Sequence, residues 1–155
     1  MEIEDVLKNK VSKDLRLFTI KRKPYHPSVP SGYEGRFNGE GTMALYAADS
    51  LEACWREIKW HNPEANINDY SLYEFRFIGK VVDLGVYGTE YVSPRKDGGW
   101  DLPRRLTDAP GFKYISAVQY PSSPAVQMGA SGTSFSINPD NFKITENEFT
   151  ETFWK

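Results

Sequence analysis

The chain has 155 residues, with 19 Lys and Arg against 21 Asp and Glu and a formal net charge of −2. That length fits one domain, able to bury roughly two thirds of the surface its unfolded chain exposes. The near-balanced charge argues against a bulk electrostatic nucleic-acid binder, which carries a basic excess, so no direct nucleic-acid contact is expected. Nine Phe, nine Tyr and four Trp point either to an aromatic core or to a site that grips planar rings. The lone Cys54 cannot form an internal disulfide, and only His26 and His61 are available to join it at a zinc site, so no metal is expected. A small buried hydrophobe on a helix face is its expected role. The acidic start, Met1 to Asp5, has no apolar core of a signal peptide, and no apolar run approaches the ~20 residues that cross a bilayer. The expectation is a soluble, cytoplasmic chain with no membrane segment.

In chain order, residues 2–10 suit a short helix or a frayed arm. Leu15–Lys21 alternates apolar and polar residues and predicts a strand. Lys23 to Gly35, with Pro24, Pro27, Pro30, Gly32 and Gly35, predicts a loop, and Arg36 to Thr42 continues it with more glycine. Met43–Ala47 is a short apolar strand. Asp49–His61 is the clearest helix, with Asp49 as cap and Glu52 three residues on to complete a capping box. Its stripe is Leu51, Cys54, Trp55 and Ile58. Pro63 ends it.

Ser71–Ile78 and Lys80–Leu84 predict two strands separated by Gly79. Gly85 to Pro110 is irregular, with a short helix near Leu102–Thr107. Tyr114–Tyr120 predicts a strand stopped by Pro121. Ser131–Ile137 and Phe142–Phe149 predict a final strand pair around the turn Asn138-Pro139-Asp140-Asn141. Short strands outnumber helices without regular alternation. That favours an α+β domain with mixed or antiparallel strands over a parallel doubly wound one.

The P-loop, GxGxxG, HExxH and GxSxG patterns are absent. Three residues between Gly35 and Ile58 carry suggestive chemistry. Arg36 sits between a Pro/Gly loop and a Gly-rich turn, where a guanidinium fork suits phosphate, or it is a solvated loop arginine. Tyr46 ends an apolar strand, as a core residue or as a ring that stacks on a base or nicotinamide. Glu57 lies about 110° from the centre of the helix stripe, counting 100° per residue. There it is a partly desolvated carboxylate or a surface partner of His61 at i+4.

Together, GRFNGEGTMALYAADSLEACWREI (Gly35–Ile58) resembles the first block of the RES domain family, named for an Arg, a Glu and a Ser. In that block G-R-[WF]-N opens a loop, followed by an apolar strand ending in Tyr, an acidic or Ser cap and a helix bearing Glu. Ala117–Ser122 (AVQYPS) resembles the family's strand-plus-Pro-Ser segment, with Ser122 as its serine and Ser123 beside it. Ser134–Pro139 (SFSINP), then Phe142-Lys143-Ile144, resembles its closing strand and Asn-Pro turn. The similarity spans most of residues 15–145. Gly85–Gly99 matches no pattern of the family. Gly132-Thr133-Ser134 stand where it often has bulky apolar residues.

The resemblance implies a compact α+β fold similar to ADP-ribosyltransferases, with NAD in a central cleft. It implies a toxin that degrades NAD, by phosphorolysis with inorganic phosphate as co-substrate, and an Xre-like antitoxin as partner. Cleavage of the nicotinamide–ribose bond passes through an oxocarbenium-like state, which an ionised carboxylate stabilises. Glu57 takes that part. Arg36 holds the pyrophosphate or the incoming phosphate, and Ser122 binds acceptor phosphate or ribose. Tyr46 lies against the nicotinamide side, with Asn38 as a further NAD contact. The rival readings are a mono-ADP-ribosyltransferase acting on a protein, an NAD hydrolase, and a non-catalytic nucleotide-binding module.

Overall fold

The computed structural model describes residues 2–27, 44–87, 101–121, 132–141 and 148–154. Two long strands form its spine: β1 (Val11–Arg22) and β3 (Tyr70–Asp83). They pair antiparallel from Val11 opposite Val81 to Arg22 opposite Tyr70. Alternation decides their faces. Leu17, Phe75, Phe77 and Val81 are buried on one side, while Arg76 and Ile78 stand exposed on the other.

The shorter strands are β2 (Leu45–Ala48), β4 (Ala117–Pro121), β5 (Thr133–Ile137) and β6 (Phe149–Thr152). They are hydrogen-bonded in the order β1-β2-β5-β4-β3-β6, and β1 also pairs with β3, so five strands close into a ring. Only β3–β4 is parallel among these pairings. β6 lies beside the first half of β3, with Phe75 opposite Phe149, and β4 takes the same edge further on, with Val81 opposite Ala117. The fold class is thus α+β, with a mixed barrel-like sheet and few helices.

The ring encloses a core of Leu17, Leu45, Ala47, Phe75, Phe77, Val81, Ala117, Phe135, Ile137 and Phe149. Outside it lie two helical covers. Helix α2 (Leu51–His61) packs Ala53 and Cys54 on Ala48 of β2 and on Phe18 and Ile20 of β1. Helices α1 (Ile3–Lys8) and α3 (Asp101–Asp108), with the 3-10 turn Pro110–Tyr114, cover the other flank. There Val6, Leu7, Leu102 and Leu106 meet Val82, Val118 and Tyr120. Leu102 and Leu106 are one turn apart, so both face inward from one short helix.

Three local expectations need correction. The predicted break at Gly79 is absent, and β3 runs through it. A Cβ there would lie 2.5 Å from both Cβ and Oγ of Ser116. The glycine marks a close crossing, where Ser116 Oγ accepts a hydrogen bond from Lys80 N at 3.2 Å. The cap of α2 is Ser50, whose Oγ accepts from Ala53 N at 3.0 Å. Asp49 is used elsewhere, with its Oδ1 accepting from Thr133 N at 3.3 Å and its own N donating to Thr133 O at 3.1 Å. Finally, the predicted pairing of Phe142–Phe149 with β5 does not form, because β2 and β4 occupy both edges of β5; residues 142–147 lie outside the described residues, and the strand that begins at Phe149 joins β3. The turn itself forms: Asn138 Oδ1 accepts from Asp140 N at 3.1 Å. Its Nδ2 donates to Ile115 O at 3.0 Å, which ties the turn to the approach of β4.

Candidate functional site

Tyr46 and Glu57 lie within the described residues, whereas Arg36, Asn38, Ser122 and Ser123 lie outside them. Tyr46 occupies the second position of β2, between the inward residues Leu45 and Ala47. Its ring therefore points out of the barrel and packs, half-buried, against the cluster that holds Val118 and Tyr120. Its carbonyl accepts a hydrogen bond from Thr19 Oγ1 at 2.9 Å. Thr19 is itself 1% exposed, so this bond fixes β2 from its buried side.

Glu57 is nearer the protein interior than its stripe predicts. The residues of α2 that are buried are Ala53 and Cys54. At 100° per residue, the direction midway between them falls within about 10° of Glu57. Glu57 follows Ala53 by four residues and Cys54 by three, so it projects from the face that meets the sheet. Its side chain retains 23% exposure, and Oε1 lies 3.4 Å from His61 Nε2. The neighbouring thiol registers the same placement. Burial pushes the Cys54 thiol up to about 12, and the negative charges of Asp49 and Glu57 add to that rise. Cys54 Sγ donates to Phe18 O at 3.1 Å and has no nucleophilic character at neutral pH. The opposite face of the helix carries the exposed pair Arg56–Glu52, 3.1 Å apart.

Both residues thus face one side of the barrel. Tyr46 is two positions from Ala48, on which α2 rests, so the tyrosine ring and the helix lie over the same sheet face. Between the two helical covers that face is floored by β5. Ser136 stands directly opposite Tyr46 on one neighbour and Val118 on the other. Ser134 stands opposite Ala48 and Tyr120. No motif marks these serines as functional, although their alternation with Phe135 and Ile137 places them on this outer face.

The surface also holds a depression lined by Asp14, Arg16, Glu74, Arg76, Glu148 and Thr150. Two of its three carboxylates are paired with its two arginines. Arg76 grips Asp14 through Nε at 2.9 Å and a second nitrogen at 2.6 Å, and Arg16 lies 3.8 Å from Glu74. The Arg76 guanidinium holds the Asp14 carboxyl below its ordinary value through this hydrogen bonding. Among the described residues, no group of three or more His, Cys, Asp or Glu is placed to hold a metal ion, and no helix is long and apolar enough to cross a membrane.

Comparison with known proteins places this geometry. No curated protein sequence matches the chain. Among solved structures, it is similar to a chain in the crystal structure of the M. tuberculosis MbcT–MbcA toxin–antitoxin complex. The TM-score is 0.68 at 15% identity, over 97% of this chain and 89% of that one. At that identity the likeness concerns the fold. A family model does match in sequence, over residues 15–145, and its description is the RES domain. The match spans β1 through the Asn138 turn and includes Tyr46 and Glu57, and on that ground the chain belongs to the RES domain family.

Proposed function

We propose that this chain is the toxin of a toxin–antitoxin pair and degrades NAD by cleaving the bond between nicotinamide and ribose, with inorganic phosphate as acceptor. The observation that carries the reading is the position of Glu57, a carboxylate on the inward face of α2, on the side of the barrel where Tyr46 presents its ring. As nicotinamide departs, positive charge grows on the ribose. A carboxylate fixed beside the ribose favours that state over the ground state, because bond cleavage moves positive charge from the nicotinamide ring onto the ribose it faces. Nicotinamide leaves as a neutral ring, so no strong general acid is required.

The remaining roles rest on the family resemblance. Arg36 holds the pyrophosphate or the incoming phosphate and offsets its repulsion from Glu57. Ser122 binds acceptor phosphate or ribose, with Ser123 as the adjacent alternative. Asn38 contacts NAD. A central cleft similar to that of ADP-ribosyltransferases is part of the same reading, as are a single domain, a cytoplasmic location and an Xre-like antitoxin. The fold likeness to a chain from a toxin–antitoxin complex supports an antitoxin partner, and its Xre-like type rests on the resemblance.

The test is mass spectrometry of NAD products from the purified protein, with and without phosphate. Phosphate-dependent ADP-ribose-1″-phosphate is the expected product. Free ADP-ribose in both conditions replaces phosphorolysis by hydrolysis, and label on a protein replaces it by transfer. Unconsumed NAD overturns the reading.

A further inference from the structure

Two serines on β5 remain unexplained by the fold. Ser134 and Ser136 are each 4% exposed. Among the described residues, neither hydroxyl has a hydrogen-bond partner. The contrast with other buried hydroxyls is direct: Thr19 donates to Tyr46 O and Ser116 accepts from Lys80 N. A buried hydroxyl without a partner is disfavoured and rare, and an apolar residue in its place relieves the penalty. Strand positions flanked by Val118, Ala48 and two tyrosines are ones where an apolar side chain fits well.

Their placement supplies a reason. α2 rests on β1 and β2, while α1 and α3 rest on β3 and β4. β5 lies between, so its outward serines form the floor between the two covers. Ser136 is paired across the strand with Tyr46, and Ser134 with Tyr120. Each hydroxyl therefore sits beside an aromatic ring. Being two residues apart on one face, the serines are separated by about 7 Å along the strand.

A planar carboxamide fits that spacing. Its oxygen and nitrogen are about 2.2 Å apart, and with a hydrogen bond of about 2.8–2.9 Å at each end it bridges roughly that gap. A hydroxyl donates to the carbonyl and the other accepts from the amide. We propose that Ser136 and Ser134 form the subsite that binds the carboxamide of the nicotinamide ring, with Tyr46 against the ring itself. This rests on the NAD reading and deepens it.

The experiment compares wild type with Ser136→Ala and Ser134→Ala. Three measurements are made: the KM for NAD, the melting temperature, and binding of free nicotinamide followed by NMR titration. The expected result is a KM raised about three- to tenfold for Ser136→Ala, the range for losing one neutral hydrogen bond. Nicotinamide binding weakens in parallel, and the melting temperature is unchanged or higher, because the alanine removes a hydroxyl with no protein partner. Nicotinamide binding within twofold of wild type in both variants overturns the proposal. So does a melting temperature lowered by several degrees, which assigns the hydroxyl to the protein's own hydrogen bonding. The titration does not depend on turnover. Wild type that binds nicotinamide but leaves NAD intact therefore refutes the cleavage reading alone.

Discussion

Replacing Glu57 by Gln separates the carboxylate's chemistry from its packing. The amide keeps the shape of the side chain and removes the charge. In the folded protein, that charge faces His61 Nε2 at 3.4 Å, with the imidazole side chain 52% exposed and the carboxylate 23% exposed. An i,i+4 pair in that setting contributes about 0.3–0.5 kcal/mol at most. For a chain of this length, loss of that pair alone shifts the melting temperature by roughly 1–2 °C. The chemical consequence is far larger. A single preorganised charge or donor facing the transition state is worth about 3 kcal/mol, a hundredfold or more in rate. Nicotinamide release at saturating NAD and phosphate, read by chromatography beside a calorimetric melt, checks both numbers. A folded variant that turns over within threefold of wild type removes Glu57 from the bond-breaking step. A melting temperature that drops by more than about 5 °C makes the carboxylate structural instead.

Further outcomes follow from the packing. Gly79→Ala forces Ser116 and the approach to β4 to shift, because the new Cβ meets Ser116 Cβ and Oγ at 2.5 Å. A loss of about 1–3 kcal/mol is expected, and an unchanged urea midpoint refutes the close-crossing account. Ser50→Ala removes the hydroxyl that caps α2 and costs about 1 kcal/mol. If Ser50→Ala is silent in a thermal melt, the cap assignment is wrong. The Cys54 thiol, held at about 12 against an ordinary value of 9.0, binds its proton more tightly folded than unfolded. Iodoacetamide at pH 8.5 therefore leaves the native protein unlabelled and reacts in urea. The thiol's contribution to stability is constant below pH 9 and is lost as pH rises from there toward 12. Rapid native labelling contradicts this burial.

Elements set by local pattern were legible in the sequence. The Leu15–Lys21 alternation lies within β1, and the Asn138 turn forms through the residue's own side chain. Elements set by distant partners were not. Gly79 reads as a strand break until Ser116, far along the chain, comes to lie against it. Asp49 reads as the helix cap until Thr133 takes its carboxylate, which leaves Ser50 to accept from Ala53 N. Phe142–Phe149 reads as a neighbour of β5, yet β2 and β4 flank β5, and the strand that begins at Phe149 pairs with β3, with Phe149 packed on Phe75 at a ring separation of 4.8 Å. Arg36, Asn38 and Ser122 carry no local signal strong enough to name a role. Their assignment rests on the family pattern and falls outside the described residues.

Glu57 shows why a hydrophobic stripe misjudges a helix face. The large residues Leu51, Trp55 and Ile58 define the stripe, but they are only half-buried. Trp55 turns its ring edge-on to Tyr70, at 5.6 Å and 72°, along the side of the contact. The closest approach is made by the small residues Ala53 and Cys54, which let α2 settle on Ala48. Side-chain size indicates which residues leave water, whereas the line of closest approach follows the residues that occupy least space. Rotating the buried direction from the large residues to the small ones carries Glu57 from the flank of the helix to its inward face. The same two positions thus set the helix height and aim the charge. A bulky replacement at Ala53 would disturb the carboxylate without touching it.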